Sequence, residues 1–174
     1  FEAAMQRLGG GVISLGSVES SSVMKGETLA DTVRTVSQYA DAIVIRHPRT
    51  GSAREAADAV PIPVINAGDG IGQHPTQALL DIYTIKKELG SLKNLTVSMV
   101  GDLKFGRTVH ALAELLSLFQ ARLCFVSPLA LKMPEEITSG LRAKGIEVME
   151  TEDMFQAASE SHLIYMTRIQ KERF

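Results

Sequence analysis

Leu95-Thr96-Val97-Ser98-Met99-Val100, then Gly101-Asp102-Leu103-Lys104-Phe105-Gly106-Arg107, then Thr108-Val109-His110-Ala111-Leu112-Ala113-Glu114-Leu115-Leu116-Ser117-Leu118-Phe119 is the stretch on which the fold turns. Its first part is a nearly unbroken apolar run of strand length. Its last part has a helical period, and a polar, glycine-bearing loop joins the two. A continuous run, as opposed to apolar-polar alternation, is expected of a parallel strand covered by helices on both faces. The same order recurs on either side. Gly11–Leu15, Ala42–Ile45, Pro63–Asn66, Arg122–Val126, Ile146–Met149 and His162–Met166 also read as strands. Leu29–Tyr39, Gln77–Leu89, Glu135–Ala143 and Met154–Ala158 read as helices, with Pro75 suited to a first helical turn and Gly90 to a C-terminal stop. Alternating strands and helices predict an α/β chain of two lobes, each a doubly wound, mainly parallel sheet flanked by helices. The helix Gln77–Leu89 and the turn after it are expected to join the lobes, so the expected division is 1–76, a linking segment 77–90, and 91–174. Each lobe would hold three or four strands.

The composition suits such a fold. Of 174 residues, 45% are hydrophobic and 22% charged, with 14 Gly and 6 Pro, which excludes disordered, collagen-like and coiled-coil classes. Eighteen Lys and Arg against 20 Asp and Glu leave a net charge of -2, too little positive charge to hold a nucleic-acid backbone, so no nucleic-acid partner is expected. The single cysteine, Cys124, lies in the apolar run Leu123-Cys124-Phe125-Val126 and reads as a buried core thiol. No apolar stretch approaches the roughly 18–20 residues of a membrane span, and no signal peptide is visible, so the expectation is a cytoplasmic chain without membrane contact. The chain opens on a helical pattern with no capping residue before it. It closes on a polar segment directly after a strand-like run. A piece of a longer protein, lacking both termini, is the expectation.

Ligands of open parallel sheets bind beyond the carboxyl ends of the strands. Ala42–Ile45 leads into Arg46-His47-Pro48; Pro63–Asn66 leads through Gly68-Asp69-Gly70 to His74-Pro75-Thr76-Gln77; Leu95–Val100 leads to Arg107; His162–Met166 leads into Thr167-Arg168-Ile169-Gln170. A single arginine after a strand reads equally well as a solvated charge. Three arginines and a histidine on one predicted edge favour a cleft for two small anions. Arginine's planar fork matches carboxylate and phosphate two bonds at a time. Arg107 and Arg168 in one lobe suit a small dicarboxylate. Arg46, His74 and helix amino ends suit a phosphate or carbonyl group. His47, His110 and His162 read as structural. No metal-ligand spacing appears, and the glycines do not fit the dinucleotide fingerprint, so no metal or cofactor is expected. Ser20–Ser22 lacks a nucleophile-elbow context. Lys25, closing the serine-rich loop before a helix, reads either as a solvated loop lysine or as a mobile lysine that swings onto an anionic substrate.

Lys25-Gly26-Glu27-Thr28-Leu29-Ala30-Asp31-Thr32, Arg46-His47-Pro48, His74-Pro75-Thr76-Gln77-Ala78-Leu79-Leu80-Asp81, Gly101-Asp102-Leu103-Lys104 with Gly106-Arg107-Thr108-Val109-His110, and Met166-Thr167-Arg168-Ile169-Gln170-Lys171-Glu172-Arg173 together resemble the aspartate carbamoyltransferase family, in order along the whole chain. The His-Pro-x-Gln motif is shared with ornithine carbamoyltransferases; the Gly101–His110 and Met166–Arg173 motifs are those of the aspartate enzymes. The resemblance implies the carbamoyltransferase fold and transfer of a carbamoyl group from carbamoyl phosphate to L-aspartate, a step of pyrimidine synthesis. It implies that Arg46, His74 and Gln77 bind carbamoyl phosphate, with Arg46 and His74 at the carbonyl oxygen. Arg107 and Arg168, helped by Gln170, would hold the aspartate carboxylates. Ser21 and Lys25 would bind carbamoyl phosphate, and Lys25 also aspartate, by reaching into the site of a neighbouring subunit. The implied assembly is a homotrimer with shared active sites, with regulatory chains or fused pathway domains as further partners. Two alternatives stand beside this reading: a carbamoyltransferase with an ornithine-type acceptor, and a non-catalytic binding or assembly relative. The family's phosphate-binding Ser-Thr-Arg-Thr segment and its later His-Pro-Leu-Pro loop are not among these residues, so the 174 residues alone are expected to be inactive.

Overall fold

The computed structural model describes residues 1–15, 26–70 and 74–167. Among them, seven α-helices and six strands alternate, and the chain separates into two compact units, Phe1–Gly72 and Gln73–Phe174. The architecture is α/β with parallel sheets flanked by helices, as expected.

In the first unit, α1 (Glu2–Arg7) and α2 (Leu29–Val36) precede β1 (Ile43–His47), α3 (Ser52–Ala59) and β2 (Val64–Asp69). Thr28 caps α2, its hydroxyl accepting from the Asp31 N–H at 3.2 Å. The strands β1 and β2 pair in parallel, which requires a crossover, and α3 supplies it. The periodicity reading missed α3. Four of the eight residues of Ser52-Ala53-Arg54-Glu55-Ala56-Ala57-Asp58-Ala59 are alanine, a strong helix former that marks an apolar face only faintly. That face is nonetheless buried: Ala56 lies in a small core with Val33 of α2 and Ile43 of β1.

Two expectations fail here. Gly11–Leu15 forms no strand; Ile13 and Leu15 are 69% and 66% exposed, and no described strand offers the ladder that its backbone would need. The first unit therefore holds two strands among the described residues, not three or four.

The second unit runs α4 (Pro75–Leu89), β3 (Thr96–Val100), α5 (Arg107–Ser117), β4 (Arg122–Val126), α6 (Glu135–Ala143), β5 (Val148–Thr151), α7 (Met154–Glu160) and β6 (Leu163–Met166). Its four strands are all parallel, in the order β5-β4-β3-β6. Successive residues of a strand face opposite sides of the sheet, and the two cores follow that alternation. Val97, Met99, Leu123 and Phe125 join Val109, Leu112 and Leu116 of α5 and Leu141 of α6 in the larger core. Val100, Cys124 and Val126 face the other way, against Ala157 of α7. Helices thus cover both faces, and the runs in β3 and β4 read as continuous for that reason.

Helix α4, expected to link the lobes, contributes Ile82 and Ile85 to the larger core and packs on α5. The compact units meet between residues 72 and 73, and α4 lies in the second of them. Burial of one apolar stripe decides which unit the helix joins. Gly90 ends it in the left-handed conformation, its N–H donating to the Lys86 carbonyl at 2.9 Å.

Cys124 is 2% exposed, and burial pushes its thiol pKa up. Since only the thiolate attacks disulfides, Ellman's reagent should leave the native protein unlabelled at neutral pH and release one equivalent of chromophore from this residue once denaturant is added. Rapid labelling of Cys124 in the native protein would contradict the packing of α7 on β4.

Candidate active site

The first unit presents Arg46 at the carboxyl end of β1, exposed. Ile45 pairs with Asn66 and His47 with Asp69, so Arg46 alone faces two residues of β2, Ala67 and Gly68. Such a bulge re-aims the strand locally and is frequent beside functional sites. The loop after β1 is tied to the end of β2. The buried carboxylate of Asp69 accepts from the Gly51 N–H at 2.9 Å and from Asn66 Nδ2 at 3.2 Å, and the Gly70 N–H donates to the His47 carbonyl at 2.8 Å. Gly70 has φ of 55°, and a β-carbon there would strike the Pro48 carbonyl oxygen. His47 is spoken for by its own turn, its Nδ1 accepting from the Arg49 N–H at 3.0 Å.

In the second unit, His74 is the N-cap of α4. Its Nδ1 accepts from the Gln77 N–H at 3.3 Å and lies 3.4 Å from the Thr76 hydroxyl. A histidine can cap in this way only with Nδ1 unprotonated. The ring proton of the neutral form is therefore on Nε2, which becomes an N–H donor for a ligand. One turn further on, Gln77 Nε2 donates to Asp81 Oδ1 at 3.0 Å, and the other carboxylate oxygen, Oδ2, accepts from the Tyr165 hydroxyl at 3.1 Å. Burial is the main cause that pushes the Tyr165 phenol pKa up, and the nearby Thr108 side chain acts in the opposite sense. The first two turns of α4 and the carboxyl end of β6 are thus joined by hydrogen bonds through Asp81.

The same edge carries the loop Gly101–Gly106. Thr167, directly after β6, bridges it: Thr167 Oγ1 accepts from the Asp102 N–H at 2.7 Å and donates to the Val100 carbonyl at 3.1 Å. Asp102, 3% exposed, accepts from the Phe105 N–H at 3.0 Å, closing the turn that delivers Arg107 to the first position of α5. His110 Nε2 donates to the Leu103 carbonyl at 2.7 Å from beneath. From β3 the chain runs to β4 and β5 in one direction, then places β6 on the other side of β3. That reversal is the switch point at which parallel sheets open a ligand crevice. The positive end of the α5 dipole, which no side chain caps, and the half-buried Arg107 make it an anionophilic edge.

The second unit carries His74 and Gln77 at the start of α4 and Arg107 at the start of α5. Arg46 stands in the first unit. Ser21, Lys25, Arg168 and Gln170 lie outside the described residues. His47, His110 and His162 are engaged by backbone groups, His162 Nδ1 accepting from the Thr96 N–H at 3.0 Å. Among the described residues, no group of three or more His, Cys, Asp or Glu side chains could hold a metal ion. The sequence reading missed Asp81, Thr108 and Tyr165 as members of this site. The four-residue step from Gln77 to Asp81 on a helix was an available signal; the link to Tyr165 had none.

The family model described as aspartate/ornithine carbamoyltransferase, carbamoyl-P binding domain, matches residues 1–87. The aspartate carbamoyltransferase catalytic subunit of Methanothrix thermoacetophila is 59% identical over 174 residues, all of this chain and 57% of that protein. The crystallised catalytic subunit of M. jannaschii aspartate transcarbamoylase superposes with a TM-score of 0.90 at 52% identity, over 99% of this chain and 57% of that one. The Trypanosoma cruzi aspartate transcarbamoylase in complex with carbamoyl phosphate and aspartate superposes at 0.86 and 47% identity, over 99% of this chain and 56% of that one. The chain thus spans a little over half the length of the relatives it matches. This likeness over every residue makes the chain a member of the aspartate/ornithine carbamoyltransferase family, on the side of the aspartate carbamoyltransferase catalytic subunits.

Proposed function

We propose that the protein carrying this chain transfers the carbamoyl group of carbamoyl phosphate to L-aspartate, giving N-carbamoyl-L-aspartate and phosphate for pyrimidine synthesis. The observation that carries the reading is the edge of the second unit. There a capping histidine, a carboxamide held through Asp81 by Tyr165, and an arginine at a helix amino end stand at the starts of α4 and α5.

The chemistry needs no nucleophilic side chain. The aspartate amine attacks the carbonyl carbon of a mixed anhydride; negative charge develops on the carbonyl oxygen and then on the departing phosphate. In this reading His74 gives its Nε2–H, and Arg46 its guanidinium, to the carbonyl oxygen. Gln77 grips the carbamoyl group, and Arg107 with Arg168 and Gln170 holds the aspartate carboxylates. Fixed donors at a developing oxyanion need no reorganisation as the charge appears. Holding both reactants also removes an entropic barrier that reaches about 7–11 kcal/mol. Ser21 and Lys25 from a neighbouring subunit complete the site of a cytoplasmic homotrimer; these roles rest on the resemblance of their motifs.

The test is the acceptor. The full-length protein, given labelled carbamoyl phosphate, is expected to make carbamoyl aspartate with L-aspartate and to leave L-ornithine unreacted. Citrulline from ornithine, with no product from aspartate, would transfer the assignment to the ornithine-type alternative. No turnover with either would favour a binding or assembly relative.

A further inference from the structure

We propose that Asp81 is a positioning residue for carbamoyl phosphate: anchored by Tyr165, its carboxylate fixes which end of the Gln77 carboxamide meets the substrate. The proposal rests on the assignment of Gln77 to carbamoyl phosphate made above.

A carboxamide presents a donor at one end and an acceptor at the other, and a free glutamine side chain can turn either towards a ligand. Here it cannot. Asp81 Oδ1 takes the Gln77 Nε2–H at 3.0 Å, and an ionised carboxylate accepts hydrogen bonds but offers none. The amide nitrogen is thereby directed along the helix, and Oε1 is the end left to meet a partner. A ligand held there must bring an N–H donor, as a carbamoyl amino group does. A substrate with only acceptor oxygens at that point would find oxygen facing oxygen.

The orientation holds only if Asp81 itself does not turn, and here the fold contributes what the helix lacks. A Gln–Asp pair four residues apart on an isolated helix is a weak, mobile contact. Asp81 is half-buried, and its second oxygen accepts from the Tyr165 hydroxyl at 3.1 Å. The Tyr165 ring packs against the larger core from β6, which fixes the position of its hydroxyl. Burial keeps the phenol protonated well above neutral pH, so it remains a donor. The carboxylate is thus held at both oxygens, by α4 and by β6.

The experiment is a double-mutant cycle in the full-length protein, with KM for each substrate, kcat and the thermal midpoint measured for Asp81→Asn, Gln77→Ala and the pair. Asparagine keeps the shape but removes the charge and one of the two acceptor oxygens, so an NH2 replaces one oxygen and the hold on the Gln77 carboxamide is no longer fixed in one sense. Asp81→Asn is expected to raise KM for carbamoyl phosphate about tenfold, the equivalent of one hydrogen bond to a charged group. KM for aspartate should stay within about twofold, since that substrate is not held by Gln77. In the Gln77→Ala background the same change should move KM for carbamoyl phosphate less than about twofold, because the group through which Asp81 acts is gone. The proposal is overturned if the two effects multiply, if Asp81→Asn leaves KM for carbamoyl phosphate unchanged, or if both KM values move together with the thermal midpoint. If Asp81→Asn does not fold, Tyr165→Phe enters the cycle in its place and is read by the same rule. Gln77→Ala without effect on KM for carbamoyl phosphate would instead refute the assignment of Gln77, and the proposal with it.

Discussion

Arg46→Ala in the full-length protein is expected to lower kcat for carbamoyl transfer by about 10²–10³-fold, the loss that follows removal of one fixed donor at a developing oxyanion. The side chain is exposed at the carboxyl end of β1, opposite the bulge in β2, and no core residue rests on it. The fold should therefore tolerate the change, with a thermal midpoint within a degree or two of the parent, so that the loss is chemical. Arg46→Lys separates charge from geometry. A lysine restores the positive charge but not the planar fork, and it is expected to recover only a small part of the lost rate. Steady-state kinetics at saturating carbamoyl phosphate and aspartate make the measurement. A kcat within about threefold of the parent would show that the developing charge is stabilised elsewhere, and the role given to Arg46 would fall.

Gly101→Val should damage the second unit more than any other single change at this edge. Gly101 follows β3 with φ of 117°, a region that side-chain-bearing residues rarely adopt. A β-carbon there would collide with the Thr167 hydroxyl and lie 3.1 Å from the Thr167 carbonyl oxygen. Backbone strain of about 1–3 kcal/mol and overpacking of about 1–3 kcal/mol together give an expected loss of roughly 2–6 kcal/mol, read as a lowered denaturant midpoint. The displaced Thr167 could no longer accept from Asp102, so the loop leading to Arg107 and the segment leading to Arg168 should loosen together. KM for aspartate is accordingly expected to rise more than KM for carbamoyl phosphate in whatever protein remains folded. An unchanged midpoint would show that the close approach of β3's loop to Thr167 is not a constraint on the fold.

Much of the second unit was legible in the amino-acid order. The strand at Arg122–Val126 and the helix at Glu135–Ala143 occur with the bounds read from the sequence. Arg122–Val126 shows as an apolar run because it is covered on both faces, and Glu135–Ala143 because its buried stripe recurs every turn. Pro75 and Gly90 mark the ends of α4 as read, since each has a conformational preference that needs no distant partner. His74 and Arg107 were read as candidates because they follow apolar runs, and Gln77 only from the resemblance of its motif. Where the local signal was faint or misleading, the reading failed. Alanine-rich α3 has too little apolar contrast, and Gly11–Leu15 has the composition of a strand without a strand beside it.

From its sequence alone, this chain is an α/β carbamoyltransferase relative with arginines and a histidine at strand ends, because period, capping and motif are properties of neighbouring residues. Only the tertiary structure decided that α4 belongs with the second unit, that β6 lies beside β3, and that Asp81 meets the hydroxyl of Tyr165, 84 positions along the chain. Such partnerships follow from the order in which strands enter a sheet. That order is set by the burial of whole faces against one another, which no short stretch of residues encodes.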